Sequence, residues 1–167
     1  GNPKILIADE PTTALDVTIQ AQIIGLLKDI QAKLGTTIIL ITHDLGVVAS
    51  IADKIIVMYS GKIVEKGECS EIFSSHRHPY TWALLNAAPS LEIKNNRKLI
   101  SIEGTPPDLI NPPKGCPFAS RCKYCMNICV EATPPEYDYG AGHKVSCWLY
   151  HPESGYQDID FNKEAED

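Results

Sequence analysis

Two short apolar runs frame everything that precedes residue 45. Lys4-Ile5-Leu6-Ile7-Ala8 ends in Asp9-Glu10-Pro11, and Thr37-Ile38-Ile39-Leu40-Ile41-Thr42 ends in His43-Asp44. Continuous β-branched and aliphatic runs of this length, bounded by turn residues, read as strands buried on both faces. Between them Ile19, Ile23, Leu26, Leu27, Ile30 and Leu34 recur at helical spacing from Val17 to Leu34, with Asp16 placed to cap the start and Gly35 to end it. Strand, crossover helix and strand predict a right-handed βαβ unit with parallel pairing, and so an α/β fold.

A second, shorter helix is expected from Leu45 to Ala52. Lys54–Tyr59, Ser60-Gly61 and Lys62–Lys66 then read as a β-hairpin with a tight turn, and Ser70–Ser74 as a helical turn or two. Pro79 opens another amphipathic stretch through Tyr80, Leu84 and Leu85, closed by Pro89. Here composition enters, because nine of the 12 prolines stand at Pro89 or later and five of the 6 cysteines at Cys116 or later. The expected organisation is therefore an α/β segment over 1–88, a small irregular Pro/Cys-rich extension over 89–151 that starts with a charged linker at Ser90–Lys98, and a frayed acidic tail over 152–167.

Charge and hydropathy remove some function classes. A formal net charge of −6 disfavours a phosphate-backbone binder, so no nucleic-acid partner is expected. No apolar run approaches the roughly 20 residues of a membrane helix, and Gly1-Asn2-Pro3-Lys4 does not open a secretory signal, which predicts a soluble chain.

The acidic pair Asp9-Glu10 lies at the C-terminal end of the first predicted strand, where open α/β sheets place their ligand sites. Phosphoryl transfer needs a carboxylate to hold Mg²⁺ and a second group to position or deprotonate the attacking water, and adjacent residues at a strand end can divide those roles. The ordered run Ile-Leu-Ile-Ala-Asp-Glu-Pro-Thr-Thr-Ala-Leu-Asp at residues 5 to 16, followed by Ile39-Leu40-Ile41-Thr42-His43-Asp44, resembles the Walker B motif, D-loop and switch histidine of ABC transporter ATPases. That resemblance implies part of a P-loop NTPase parallel sheet, with ATP and Mg²⁺ as ligands. It implies Asp9 at the Mg²⁺ site, Glu10 as general base, His43 as the contact to the γ-phosphate, and Asp16 in a loop that crosses to a second ATP-binding subunit. Thr13 stands where many relatives have Ser, a departure that keeps the hydroxyl. No Gly-x-x-x-x-Gly-Lys-Ser/Thr loop and no Leu-Ser-Gly-Gly-type signature occurs. The chain thus looks like the C-terminal half of a longer ATPase subunit, expected to be inactive alone.

The cysteines are spaced Cys116-x5-Cys122-x2-Cys125-x3-Cys129-x17-Cys147, with Cys69 apart. In a chain without a signal segment such a cluster reads as metal or cluster ligands, and thiolates suit both Zn²⁺ and iron–sulfur clusters. Spacing alone does not choose four of the five. Ile102–Leu109, Gly115-Cys116-Pro117-Phe118, Arg121-Cys122, Cys129 and Cys147, preceded by His78-Pro79-Tyr80-Thr81, resemble the C-terminal extension of oligopeptide and dipeptide importer ATPases. The resemblance implies a [4Fe-4S] cluster held by Cys116, Cys122, Cys129 and Cys147, with Cys125 as an extra thiol. Zn²⁺ is the alternative, with His143 and His151 near in sequence. It further implies peptide import through transmembrane permease subunits and a place on the cytoplasmic face of the cell membrane. A competing class is an iron–sulfur or zinc-binding interaction module in which the first half is scaffold.

Overall fold

Strand β1 (Ile5–Asp9) pairs in parallel with β2 (Thr37–Ile41), Ile5 lying opposite Thr37 and Asp9 opposite Ile41. The computed structural model that shows this describes residues 1–87, 102–156, 159 and 161, so the linker expected at Ser90–Lys98 and the stop at Pro89 lie outside the described residues. Helix α1 (Val17–Leu34) connects the two strands. It begins where the Asp16 carboxylate accepts the amides of Thr18 and Ile19 at 2.9 and 3.0 Å, and ends at Gly35, whose left-handed φ of 63° lets its N–H reach the Gln31 carbonyl. Helix α2 (Leu45–Ile51) follows, capped by Asp44 through the amides of Gly46 and Val47.

These elements form one compact unit, Gly1–Ala52. Its core joins Ile24, Leu27 and Val47 to Leu6, Ile38, Leu40 and Ile51. Only one face of the two-stranded sheet is covered, which corrects the expectation of strands buried on both sides. The residues that alternate with the covered ones remain open, with Ile7 64% and Ile41 48% exposed. The cause is period-two geometry: helices packed on one face shield Leu6, Ile38 and Leu40, and the intervening side chains point the other way.

The second unit, Asp53–Asp167, starts with the predicted hairpin of β3 (Lys54–Tyr59) and β4 (Lys62–Glu68). Ser60 and Gly61 take φ of 46° and 75°, the left-handed pair that a two-residue hairpin turn matched to strand twist requires. Helices α3 (Cys69–Ser75) and α4 (Pro79–Ala87) follow, then a 3₁₀ turn at Ala119–Arg121, α5 (Asn127–Glu131), β5 (Glu136–Asp138), β6 (Lys144–Ser146) and a last 3₁₀ turn at Trp148–Tyr150. The sheet order is β3-β4-β6-β5, so the Cys-rich extension adds two strands to the hairpin instead of standing as an irregular appendage. For the same reason the compact units divide at Ala52 and Asp53, whereas the composition shifts near residue 88. No helix among the described residues is long and apolar enough to cross a membrane.

Two apolar clusters build this unit. Val57, Tyr59, Val64, Ile72 and Phe118 pack between hairpin, α3 and extension, while Trp82, Val145, Leu149, Tyr150 and Phe161 join α4 to the extension. Most of the acidic segment expected to fray lies outside the described residues, but Phe161 within it is packed. It is 2% exposed, its carbonyl accepts the Trp82 indole N–H at 3.1 Å, and its ring meets those of Trp82 and Tyr124. Burial of one large aromatic outweighs the cost of fixing that residue.

At the centre lies Glu65 on β4, fully buried. Its carboxylate accepts the Arg77 amide at 2.6 Å, the His78 amide at 2.9 Å and His143 Nε2 at 2.8 Å. Desolvation opposes its ionisation, yet the surrounding donors, His143 first among them, outweigh that penalty and hold the carboxyl below its ordinary value. The two amides immediately precede α4, so one carboxylate joins β4, the entrance to α4 and the extension. His78, 1% exposed, accepts the Tyr80 amide on Nδ1, and burial pushes its pKa down to about 4.

Glu65→Ala strands a buried imidazole and two amides, and is expected to cost about 3–5 kcal/mol in denaturant unfolding followed by Trp fluorescence. His78 gives a separate pH signature. Its folded pKa of about 4 lies below the ordinary 6.5, so between these values the unfolded chain binds a proton that the native one refuses. Stability should therefore fall as pH drops from about 6.5 toward 4, by on the order of 3 kcal/mol. His78→Asn, which keeps an acceptor for the Tyr80 amide, should flatten that slope in thermal melts taken across the window.

Candidate functional site

The parallel register carries directly into the loops beyond the strands. Glu10 N–H donates to the Ile41 carbonyl at 2.8 Å, extending the ladder by one bond past β1. Glu10 itself takes a left-handed φ of 48°, which turns the chain out of the sheet at the acidic residue. His43 leaves β2 at the same level. The result is a contact of 2.9 Å between His43 Nδ1 and Glu10 Oε1. The other carboxylate oxygen, Oε2, accepts the Thr13 hydroxyl at 2.5 Å, and Thr13 N–H returns to the Glu10 carbonyl.

The Thr13 hydroxyl first, and then His43, hold the Glu10 carboxyl below its ordinary value, while the hydrogen bond and charge of Glu10 raise His43 above 6.5. At the solvent-exposed ends of parallel strands, an ionised carboxylate can take a proton from water while the imidazole beside it donates a hydrogen bond to an anionic oxygen.

Of the four residues named from the sequence in this segment, Glu10 and His43 touch. Asp9 is exposed at the end of β1, next to them in the chain. The Asp16 carboxylate is engaged instead by the amides at the start of α1. Four further residues, Thr13, Gln20, Thr42 and Asp44, support the pair, and their roles are not visible in the sequence. Thr13 braces Glu10, and the bond of 2.8 Å from the Gln20 amide to Asp44, with Thr42 accepting the Asp44 N–H, braces the segment on either side of His43. The polar side chain of Gln20 at a half-buried helix position is the one signal that points to it.

In the extension, Cys116 N–H donates to the Cys129 carbonyl at 2.7 Å, and Cys125 N–H to the Cys122 carbonyl at 3.2 Å. This closeness demands Gly115, since a Cβ there would lie 2.1 Å from the Cys129 carbonyl oxygen. Cys129 and Cys147 are buried, Cys116 and Cys122 half-buried, and Cys125 exposed, with no disulfide among them. Burial pushes the Cys122 thiol up to about 12 and raises Cys116 and Cys147, with further contributions from their mutual repulsion. Among the described residues, no group of three His, Cys, Asp or Glu side chains is arranged to hold a single metal ion. Both histidines considered for zinc are engaged elsewhere, His143 with Glu65 and His151 with the Glu153 amide that it accepts.

Residues 64–129 match the family described as "Oligopeptide/dipeptide transporter, C-terminal region". The oligopeptide transport ATP-binding protein OppD of Bacillus subtilis is 59% identical over 154 residues, covering 92% of this chain and 43% of that protein. Over most of its length the chain matches the C-terminal part of oligopeptide and dipeptide transport ATP-binding subunits. The dipeptide transport ATP-binding protein DppD of the same organism is 55% identical over 88% of this chain and 44% of its own length, and the OppD protein of Salmonella typhimurium 50% over 87% and 43%. The chain therefore spans less than half the length of these relatives. Within the family segment that begins at residue 64, β4 supplies Glu65 and the run to residue 129 supplies Cys116, Cys122, Cys125 and Cys129.

The pairing of His43 with Glu10 is directly measurable. In an NMR pH titration of the chain, His43 should titrate above 6.5, and Glu10→Gln should return it toward that value; an unchanged titration in the variant would show that the two side chains do not meet in solution.

Proposed function

We propose that this chain carries the hydrolytic elements of an ATPase subunit that powers import of dipeptides or oligopeptides. The observation that carries this reading is the contact of Glu10 with His43 at the aligned ends of two parallel strands, within a chain that matches such ATP-binding subunits. Glu10 accepts the proton of the water that attacks the terminal phosphorus of ATP. His43 turns from Glu10 to donate a hydrogen bond to a terminal phosphate oxygen, and the products are ADP and inorganic phosphate. Asp9, a hard oxygen donor exposed at the strand end, fits Mg²⁺, which neutralises phosphate charge when bound. Asp16 fixes the start of α1 and, by the same reading, faces a second ATP-binding subunit. The permease subunits and the cytoplasmic face of the membrane complete the assembly. The scaffold-only alternative leaves the Glu10–His43–Thr13 arrangement without a purpose.

For the extension we infer a cluster in place of a single ion. By the resemblance, Cys116, Cys122, Cys129 and Cys147 would supply the cluster's thiolates, and the influence of these thiols on one another's ionisation supports their proximity. These cysteines staple a segment short of its own core, and the cluster is given no catalytic step.

In the full-length subunit, Glu10→Gln is expected to lower ATP hydrolysis by about 10²–10⁴-fold and to abolish peptide uptake in cells that depend on it. Wild-type turnover in that variant would remove Glu10 from the reaction. Protein purified without oxygen should contain iron and acid-labile sulfide in equal amounts, lost in Cys116→Ala; stoichiometric zinc instead would replace the cluster reading.

A further inference from the structure

Glu10 needs an anchor that survives the reaction. Its backbone has left the strand at a φ of 48°, so the pleat of the sheet no longer sets the direction of its side chain. Among the described residues, two groups hold the carboxylate: His43 on Oε1 and Thr13 on Oε2. The His43 side chain is 80% exposed against 38% for Glu10, and in the proposed reaction it turns away to the terminal phosphate. When it does, the Thr13 hydroxyl is the remaining bond.

Thr13 is well placed to hold. Its N–H bonds the Glu10 carbonyl, the Leu15 N–H bonds the carbonyl of buried Thr12, and Ala14 turns the chain at a φ of 62° into the Asp16 cap of α1. The hydroxyl is thus presented by a closed turn anchored on a helix. It binds Oε2 and leaves Oε1 free to accept the proton from water once His43 departs. We propose that Thr13 is a positioning residue for hydrolysis, acting through Glu10 by fixing the carboxylate that takes the proton.

This inference rests on the reading of Glu10 as general base, and the test separates the two. In the full-length subunit, Thr13→Val keeps the shape and removes the donor. It should lower kcat for ATP by about ten- to a hundredfold with KM unchanged, and Thr13→Ser should restore most of the rate. Added to Glu10→Gln, Thr13→Val should lower the residual rate no further, because the group it positions is already gone. Full activity in Thr13→Val, beside an inactive Glu10→Gln, would overturn the role of Thr13 alone. A further loss in the double variant, or a loss in Thr13→Ser equal to that in Thr13→Val, would likewise overturn it. Full activity in Glu10→Gln would overturn the general-base reading and this proposal together. Unchanged thermal melts of the variants confirm that a loss of rate is not a loss of fold, and a drop in melting temperature matching the drop in rate would count against the proposal.

Discussion

Parallel pairing of β1 with β2 sets Asp9 level with Ile41, and one more bond, from Glu10 N–H to the Ile41 carbonyl, carries the alignment past the strand ends. Every feature of the candidate site descends from that register. It places His43, two residues beyond Ile41, against Glu10, and it leaves the loop from Thr12 to Asp16 to fold back under the carboxylate. A slip of one residue would reverse which side chains face the helices and would separate the acid from the imidazole. The register is held from below by Leu6, Ile38 and Leu40 packing on Ile24 and Leu27. Core packing and site geometry are therefore one constraint seen from two sides of the sheet.

A buried carboxylate plays the corresponding part in the second unit. Glu65 collects donors from the chain before α4 and from the extension, which is why the extension joins the hairpin's sheet instead of trailing from it. A charge this deep is costly to bury and costly to strand, so it specifies one arrangement of three segments more sharply than aliphatic contacts would. Arg77 adds to the same junction by lying 3.8 Å over the Tyr139 ring while its carbonyl accepts the Tyr150 hydroxyl.

The first unit is legible in the sequence because its local signals agree. Asp16, the periodic apolar residues and Gly35 define α1 to the residue, and in the second unit Ser60-Gly61 fixes the hairpin turn. What the sequence hides is non-local. Three-residue strands such as β5 and β6 are too short for an alternation pattern to register, and they exist because β4 offers an edge and Glu65 a partner for His143. Phe161 is one aromatic in an acidic tail, and only the packing against Trp82 and Tyr124 gives it a place. At the site, Glu10 and His43 are readable from type and order; Thr13 is not, because a threonine in a turn carries no mark of the carboxylate it will meet.

The cysteines and the acid–imidazole pair are separate parts of the chain, the first proposed to be structural and the second proposed to be hydrolytic. The hydrolytic role of the pair is tested most sharply by a structure of the full-length subunit with Mg²⁺ and a non-hydrolysable ATP analogue. The terminal phosphate is expected within hydrogen-bond reach of His43, the metal at Asp9, and a water between the phosphorus and Glu10 with Thr13 still bonded to its carboxylate. A terminal phosphate bound away from both Glu10 and His43 would contradict that role.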